Sequence, residues 1–370
     1  MKNDKAKDKN KGRYLSPSFH KGAVKEKKKD EKEEKDKNNI VPVNKYNKEK
    51  SKEIQRRSSI VIVPEECKVN ANKNGRIQKF ATLSKAGKGE DGFTKVNQDS
   101  YFVLDNMFNF RDVNIFSVLD GHGVNGHLVS RFVTKYFTSF FNNNKKIVAS
   151  NDSEDSICYR FKKNNYDILK KAFRHAERNI NKHTDIDANF SGTTCVMVLQ
   201  VGEKIICANV GDSRAIIVKG NNYMITPLSI DQKPTDPEES KRIIASGGEI
   251  SQFEEDGEKS GPYRVWKKGE EYPGIAMSRS IGDFVASSLG VIPEPIFIED
   301  KVDKDTKFIV IASDGVWEFL DNQAVTDIVL PFYKKNDPNG ACRALIKEST
   351  DWWNKEDIVV DDITVIIVFF

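Results

Sequence analysis

The chain has 370 residues, 38% hydrophobic and 31% charged, with a mean hydropathy of −0.57. That is enough apolar material for a sizeable core, while its longest apolar runs, the last at 363–370, fall short of the roughly 18 residues a spanning helix needs. Five cysteines without a CxxC pair exclude an evident zinc site or disulfide framework, and the lysine-rich start lacks the apolar stretch of a secretory signal, so buried reduced thiols and a cytoplasmic or nuclear location are expected.

Residues 1–59 carry 20 Lys and Arg against 10 Asp and Glu, whereas the rest of the chain is net acidic. Residues 1–74 hold so few large apolar side chains that a disordered basic tail is expected there, with one domain over 75–370. Such a tail suits solvation, or contact with nucleic acid, an acidic partner or an anionic membrane surface. Within it, Arg56-Arg57-Ser58-Ser59 has the arginine pair that steers a basic-directed kinase.

The domain's elements follow from periodicity. Val113 to Leu119 reads as a strand, and a helix opening at Gly126 carries Leu128, Val129, Phe132, Val133, Tyr136, Phe137, Phe140 and Phe141 at 3.6-residue spacing. A polar stretch at 142–157 reads as a long surface loop before a second helix bearing Leu169, Phe173, Ala176 and Ile180, and the two helices are expected to pack together. Cys195 to Leu199 and Ile205 to Ala208 flank a Gly202-Glu203 turn as a hairpin, with another strand at Ala215 to Val218. Thr235-Asp236-Pro237-Glu238-Glu239 starts a short helix that runs to about Ala245, where Gly247-Gly248 stops it. Further on, Phe308 to Ala312 is a strand, Asp321 caps a helix through Leu330, Ala341 to Trp352 is a helix, and Thr364 to Phe369 is the last strand. Without a βαβ rhythm, this order predicts an α+β layered fold.

Two apolar strands exit into Asp-Gly, at Asp120-Gly121 and Asp314-Gly315, and Asp361-Asp362 precedes the last strand. A lone Asp-Gly is an ordinary turn, but three acids gathered at strand ends require a compensating cation, and an all-oxygen set suits Mg²⁺ or Mn²⁺. Gly121-His122-Gly123-Val124-Asn125-Gly126 also spells GxGxxG. The acid before it and the lack of a second strand ending in an acid argue against a dinucleotide site.

In order along the chain stand Asn97-Gln98-Asp99, Asp120-Gly121-His122-Gly123, Ser191-Gly192-Thr193-Thr194, Gly211-Asp212-Ser213-Arg214, Asp231-Gln232-Lys233-Pro234, Ser278-Arg279-Ser280-Ile281-Gly282-Asp283, Ser313-Asp314-Gly315-Val316-Trp317 and Asp361-Asp362-Ile363-Thr364. This set resembles the metal-dependent Ser/Thr protein phosphatases of type 2C, from about Val96 to Val368. The resemblance implies two packed, mostly antiparallel β-sheets flanked by helices on both sides, and hydrolysis of phosphoserine and phosphothreonine by a metal-activated water. It implies two Mg²⁺ or Mn²⁺ ions, with Asp120 shared between them, Gly121 offering its carbonyl, and Asp314 and Asp361 on one ion. It further implies a third, weaker ion at Asp212, a water-holding role for Asp99 and Thr194, and His122 as the general acid.

Three positions depart from the family pattern. Thr94 stands where an arginine often grips phosphate, which leaves Lys95 as the candidate for that contact. Gln98 replaces a common glutamate, and Glu318 an aspartate. The segment from Gly248 to Gly274, with Trp266, corresponds to a variable flap beside the site. Phosphoproteins are the expected substrates of a monomeric enzyme. The rival reading is a pseudophosphatase that binds without turnover, although such relatives usually lack the metal carboxylates retained here.

Overall fold

The computed structural model describes residues 77, 79–110, 112–144, 147, 152–255 and 257–370. The tail over 1–74, its serine pair, Cys67 and the boundary at 75 lie outside the described residues. Strands from β1 (Lys79–Lys85), β2 (Ser100–Leu104) and β3 (Val113–Leu119) through the two-residue β4 (Gly121–His122) lead into helices α1 (Gly126–Asn143) and α2 (Glu154–Asn181). Next come β5 (Gly192–Thr193), the hairpin β6 (Cys195–Val201) and β7 (Lys204–Val210), β8 (Arg214–Lys219), β9 (Met224–Pro227) and α3 (Pro237–Ala245). A flap of β10 (Gly248–Glu255), β11 (Glu258–Lys267) and β12 (Pro273–Ile275) precedes β13 (Ile281–Gly282) and α4 (Phe284–Ser287). The chain finishes with β14 (Ile296–Lys301), β15 (Thr306–Ala312), α5 (Asp314–Trp317), α6 (Asn322–Tyr333), α7 (Pro338–Glu356) and β16 (Ile363–Phe369).

Two five-stranded sheets, ordered β1-β16-β15-β8-β9 and β14-β7-β6-β3-β2, form the centre, and every neighbouring pair in them is antiparallel. A strand covered on both faces loses the polar alternation of a half-exposed one, which is why β6 and β16 read as apolar runs interrupted only by Gln200 and Thr364. In β6, Val196 and Val198 meet Ile309, Ile311, Ile366 and Val368 between the sheets. Cys195, Met197 and Leu199 point the other way, against α1 and α2. The outer face of the β1-β16-β15-β8-β9 sheet packs on α6 and α7 through Phe308, Val325, Leu345 and Phe369. The result is the expected helix-sheet-sheet-helix layering.

The paired helices meet through Phe137 and Phe173, with ring centroids 4.9 Å apart. The surface loop expected over 142–157 is corrected: α1 runs to Asn143, Ile147 is fully buried, and α2 begins at Glu154, with the Ser153 side chain accepting from Ser156 N–H. The serine cap and the acids Glu154 and Asp155 in the first turn were the overlooked start signal. Helix α6 likewise passes Leu330 and carries Pro331 inside it. Cys158, Cys195, Cys207 and Cys342 are free, buried thiols, and burial pushes Cys195 and Cys342 up to about 12.

Candidate active site

Strand register gathers the acids. Ser100 faces Leu119, Val118 faces Val196, Cys195 faces Val210, and Ala312 faces both Arg214 and Val365. The residues just beyond these strand ends are therefore brought to the same end of the two sheets: Asp99 before β2, Asp120 after β3, Thr194 before β6, Asp212 after β7, Asp314 after β15 and Asp361 before β16.

Asp120 is held in place from its backbone. Its N–H donates to Thr194 Oγ1 at 3.0 Å, its carbonyl accepts from Thr194 N–H at 2.8 Å, and Thr193 Oγ1 donates to the same carbonyl. The Thr194 hydroxyl also pairs with Ser213 Oγ at 2.7 Å and is fully buried, so both its bonds serve to position Asp120. A Cβ on Gly121 would lie 2.5 Å from the carbonyls of Gln98 and Gly126, which explains the glycine there.

The Asp120 and Asp314 carboxyls are buried close enough to repel each other. Burial, first, and then the neighbouring carboxylates push both well above the usual carboxylate range. Asp99 is raised to about 7, chiefly by burial, with Asp362 and Asp361 adding repulsion. Glu177 of α2 is raised to about 7, also chiefly by burial.

Two ammonium groups supply positive charge among the acids: Lys95 Nζ lies 2.6 Å from Asp361 Oδ1, and Lys233 Nζ 2.6 Å from Asp212 Oδ2. Both lysines are raised, since the carboxylate partners outweigh burial, which by itself lowers them. The two adjacent acids before β16 also part company. Asp362 accepts from Gly87 N–H at 2.7 Å and Gln98 N–H at 2.9 Å, so it braces the loops, while Asp361 meets Lys95 at the site. Gln98 spends its side-chain amide on the Gly123 carbonyl at 2.6 Å, a donor that a glutamate lacks.

His122 Nε2 sits 2.6 Å from Asp283 Oδ2, which Ser280 Oγ also contacts at 2.6 Å. Burial lowers the imidazole, and the Asp283 carboxylate overrides it, leaving the pKa raised. Asp283 is in turn placed by its N–H on the Ser191 carbonyl, and Glu177 accepts from the preceding Gly282 N–H at 2.6 Å. Asp283, Lys233 and Glu177 were not singled out in the sequence. The first two lie inside recognisable motif blocks, whereas Glu177 sits on a helix face with no local signal.

Among the described residues, no three His, Cys, Asp or Glu side chains stand as a finished coordination shell. The donor chemistry nevertheless fits hard cations: Asp99 Oδ1, Asp212 Oδ1 and Asp314 Oδ1 are buried oxygens without a hydrogen-bond partner. Buried carboxylate oxygens left unpaired among neighbouring carboxylates are costly without a cation.

Comparison with known proteins identifies the class. Residues 86–357 match the family model for protein phosphatase 2C. An Arabidopsis thaliana protein named probable protein phosphatase 2C 35 is 36% identical over 309 residues, covering 78% of this chain and 83% of that protein. A second from the same plant, probable protein phosphatase 2C 34, is 31% identical over 76% of this chain and 78% of its own length. A Toxoplasma gondii serine-threonine phosphatase 2C crystal structure shares the fold with a TM-score of 0.63 at 16% identity, covering 79% of this chain and 94% of that one. The chain belongs to the protein phosphatase 2C family, the metal-dependent serine/threonine phosphatases. Its substrates are accordingly phosphoproteins.

Proposed function

We propose that the chain is a catalytically competent phosphatase that hydrolyses phosphoserine and phosphothreonine at a two-ion carboxylate site. The observation that carries this reading is the convergence of Asp120, Asp314, Asp361, Asp99 and Asp212, with three buried oxygens unpartnered. Asp120 would be shared by both ions, with the Gly121 carbonyl on one and Asp314 and Asp361 on the other; Asp212 would hold a third, weaker ion. Bound Mg²⁺ or Mn²⁺ supplies a water nucleophile at neutral pH and charge neutralisation of the phosphoryl oxygens.

The chain's own groups do the rest. Thr194 and Ser213 fix Asp120. Lys95, released from Asp361 once that carboxylate is engaged, offers a point charge to the phosphoryl oxygens. As the P–O bond to the seryl or threonyl oxygen breaks, the His122 imidazolium gives that oxygen a proton. Nε2–H stays on Asp283, which leaves Nδ1, buried and without a partner, as the donor. The complete acid set and His122 favour turnover over a pseudophosphatase. The basic tail and a cytoplasmic or nuclear setting belong to the same reading.

Thermal denaturation tests the metal site without reference to turnover. Asp99, Asp120, Asp314 and Glu177 all have folded-state pKa values raised above the ~4 of an unfolded carboxyl. The folded chain then keeps protons that the unfolded chain releases, so its stability falls as pH rises from about 4 through 7. In chelator, Tm is expected to drop between pH 6 and pH 8. Adding Mn²⁺ is expected to raise Tm more at pH 8 than at pH 6, because the ion competes with those protons. A Tm indifferent to Mn²⁺ at both values contradicts the assignment.

A further inference from the structure

The flap has an outward face that the proposed chemistry leaves unused. Across β10 and β11, Ile250 faces Val265, and both turn into a small apolar core with Ile243, Ile275 and Leu289. Strand alternation sends Glu249, Ser251 and Trp266 to the opposite side, and Phe253, past a β-bulge, joins them there. There Trp266, Phe253, Glu249, Glu254, Glu270 and Glu271 line a cavity of about 250 Å³. The two rings lie 6.5 Å apart with a 37° tilt, and Trp266 Nε1–H donates to the Ser251 carbonyl at 3.0 Å, which fixes the indole against the wall.

The positive charges nearby are engaged elsewhere or held loosely. Arg264 donates to the Gly274 carbonyl at 2.7 Å and does not line the cavity. Lys267 Nζ lies 2.8 Å from Tyr272 Oη and only 3.9 Å from Glu270, while Lys259 stands 3.8 Å from Glu254. Among the described residues, Glu249 and Glu271 have no ion-pair partner.

The loop that follows this cavity adjoins the rim of the active site. Tyr272, the neighbour of Glu271, meets the Phe190 ring edge-on at 6.0 Å. A Cβ on Gly123, beside His122, would lie 2.1 Å from the Phe190 carbonyl, and Asn125 N–H donates to Ser191 Oγ at 3.0 Å, so the two loops are in contact. A substrate segment whose phosphorylated residue sits at His122 can therefore pass over Phe190 and Tyr272 to the flap.

We propose that the Trp266 cavity receives the guanidinium of an arginine in the phosphoprotein, a few residues from the phosphorylated serine or threonine. A planar organic cation uses both features of the cavity: the ring face attracts it, and the carboxylates match its charge and its donor fork. This proposal rests on the phosphatase reading and adds the substrate class, proteins phosphorylated next to basic residues.

The test is kcat/KM for phosphothreonine peptides in which one arginine is moved position by position and then replaced by citrulline, which keeps the shape and removes the charge. At one position arginine is expected to be favoured about tenfold, through KM, consistent with a partly desolvated cation–π contact reinforced by carboxylates. Glu271→Lys is expected to reverse the preference and Trp266→Ala to abolish it; Glu271 is exposed, so its substitution spares the fold. Wild-type turnover of p-nitrophenyl phosphate with no arginine preference at any position overturns the cavity proposal alone. A wild-type chain inert toward both substrates overturns the phosphatase reading and this proposal with it.

Discussion

Asp120→Asn is expected to reduce phosphate release from a phosphothreonine peptide by at least about 10³-fold in saturating Mn²⁺. Loss of a single preorganised electrostatic group typically costs about 10²–10³ in kcat, and Asp120 is the ligand that the proposed arrangement shares between two ions. The amide keeps the volume and leaves the backbone bonds to Thr194 in place, so the fold should persist. Circular dichroism and Tm in chelator separate a folded, inactive variant from a collapsed one. Because burial and the neighbouring carboxylates disfavour an ionised Asp120, the variant is expected to be no less stable than wild type at pH 8 without metal. Retention of more than about a tenth of the activity contradicts the shared-ligand assignment.

His122→Ala is expected to produce a loss that depends on the leaving group. A seryl or threonyl alkoxide needs a proton as it departs, and general acid catalysis contributes about 10²–10⁴-fold. A p-nitrophenolate leaves without one. The variant should therefore lose about 10²-fold or more on phosphopeptides and far less on p-nitrophenyl phosphate. Asp283→Asn should follow the same pattern with a smaller amplitude, because Asp283 acts through the imidazole it holds. Equal losses on both substrates, for either variant, remove the proton-donor role and leave His122 and Asp283 as structural.

The parts of the fold legible in the sequence are those where one physical requirement dominates. The apolar runs of β6 and β16 and the Phe137 and Phe141 stripe of α1 are written by burial. The Gly202-Glu203 turn and the Asp321 cap are written by local backbone chemistry. The flap hairpin has no clear sequence signature, since Gly248–Glu255 mixes exposed and half-buried side chains and its β-bulge at Gln252 and Phe253 breaks the alternation. The start of α2 is masked by the polar stretch around its serine cap, Ser153.

The site shows the same division. Asp120, Asp314 and Asp361 announce themselves by standing at the ends of apolar strands, and register then brings them to one end of the two sheets. Sequence proximity does not distinguish Asp361 from Asp362; only the loop amides of Gly87 and Gln98 assign Asp362 to bracing. The roles of Asp283 and Glu177 depend on contacts across 161 and 105 residues of chain, which no local pattern encodes. Gln98, a departure from the family pattern, gains a reason in the donor it offers to Gly123.

The most direct measurement of the central claim is phosphate release from a phosphothreonine peptide by the full chain, first in EDTA and then with Mn²⁺ or Mg²⁺ restored. The account predicts no turnover in chelator and recovery with either ion. Folded protein that fails to turn over at saturating metal, or that turns over equally well in EDTA, contradicts it.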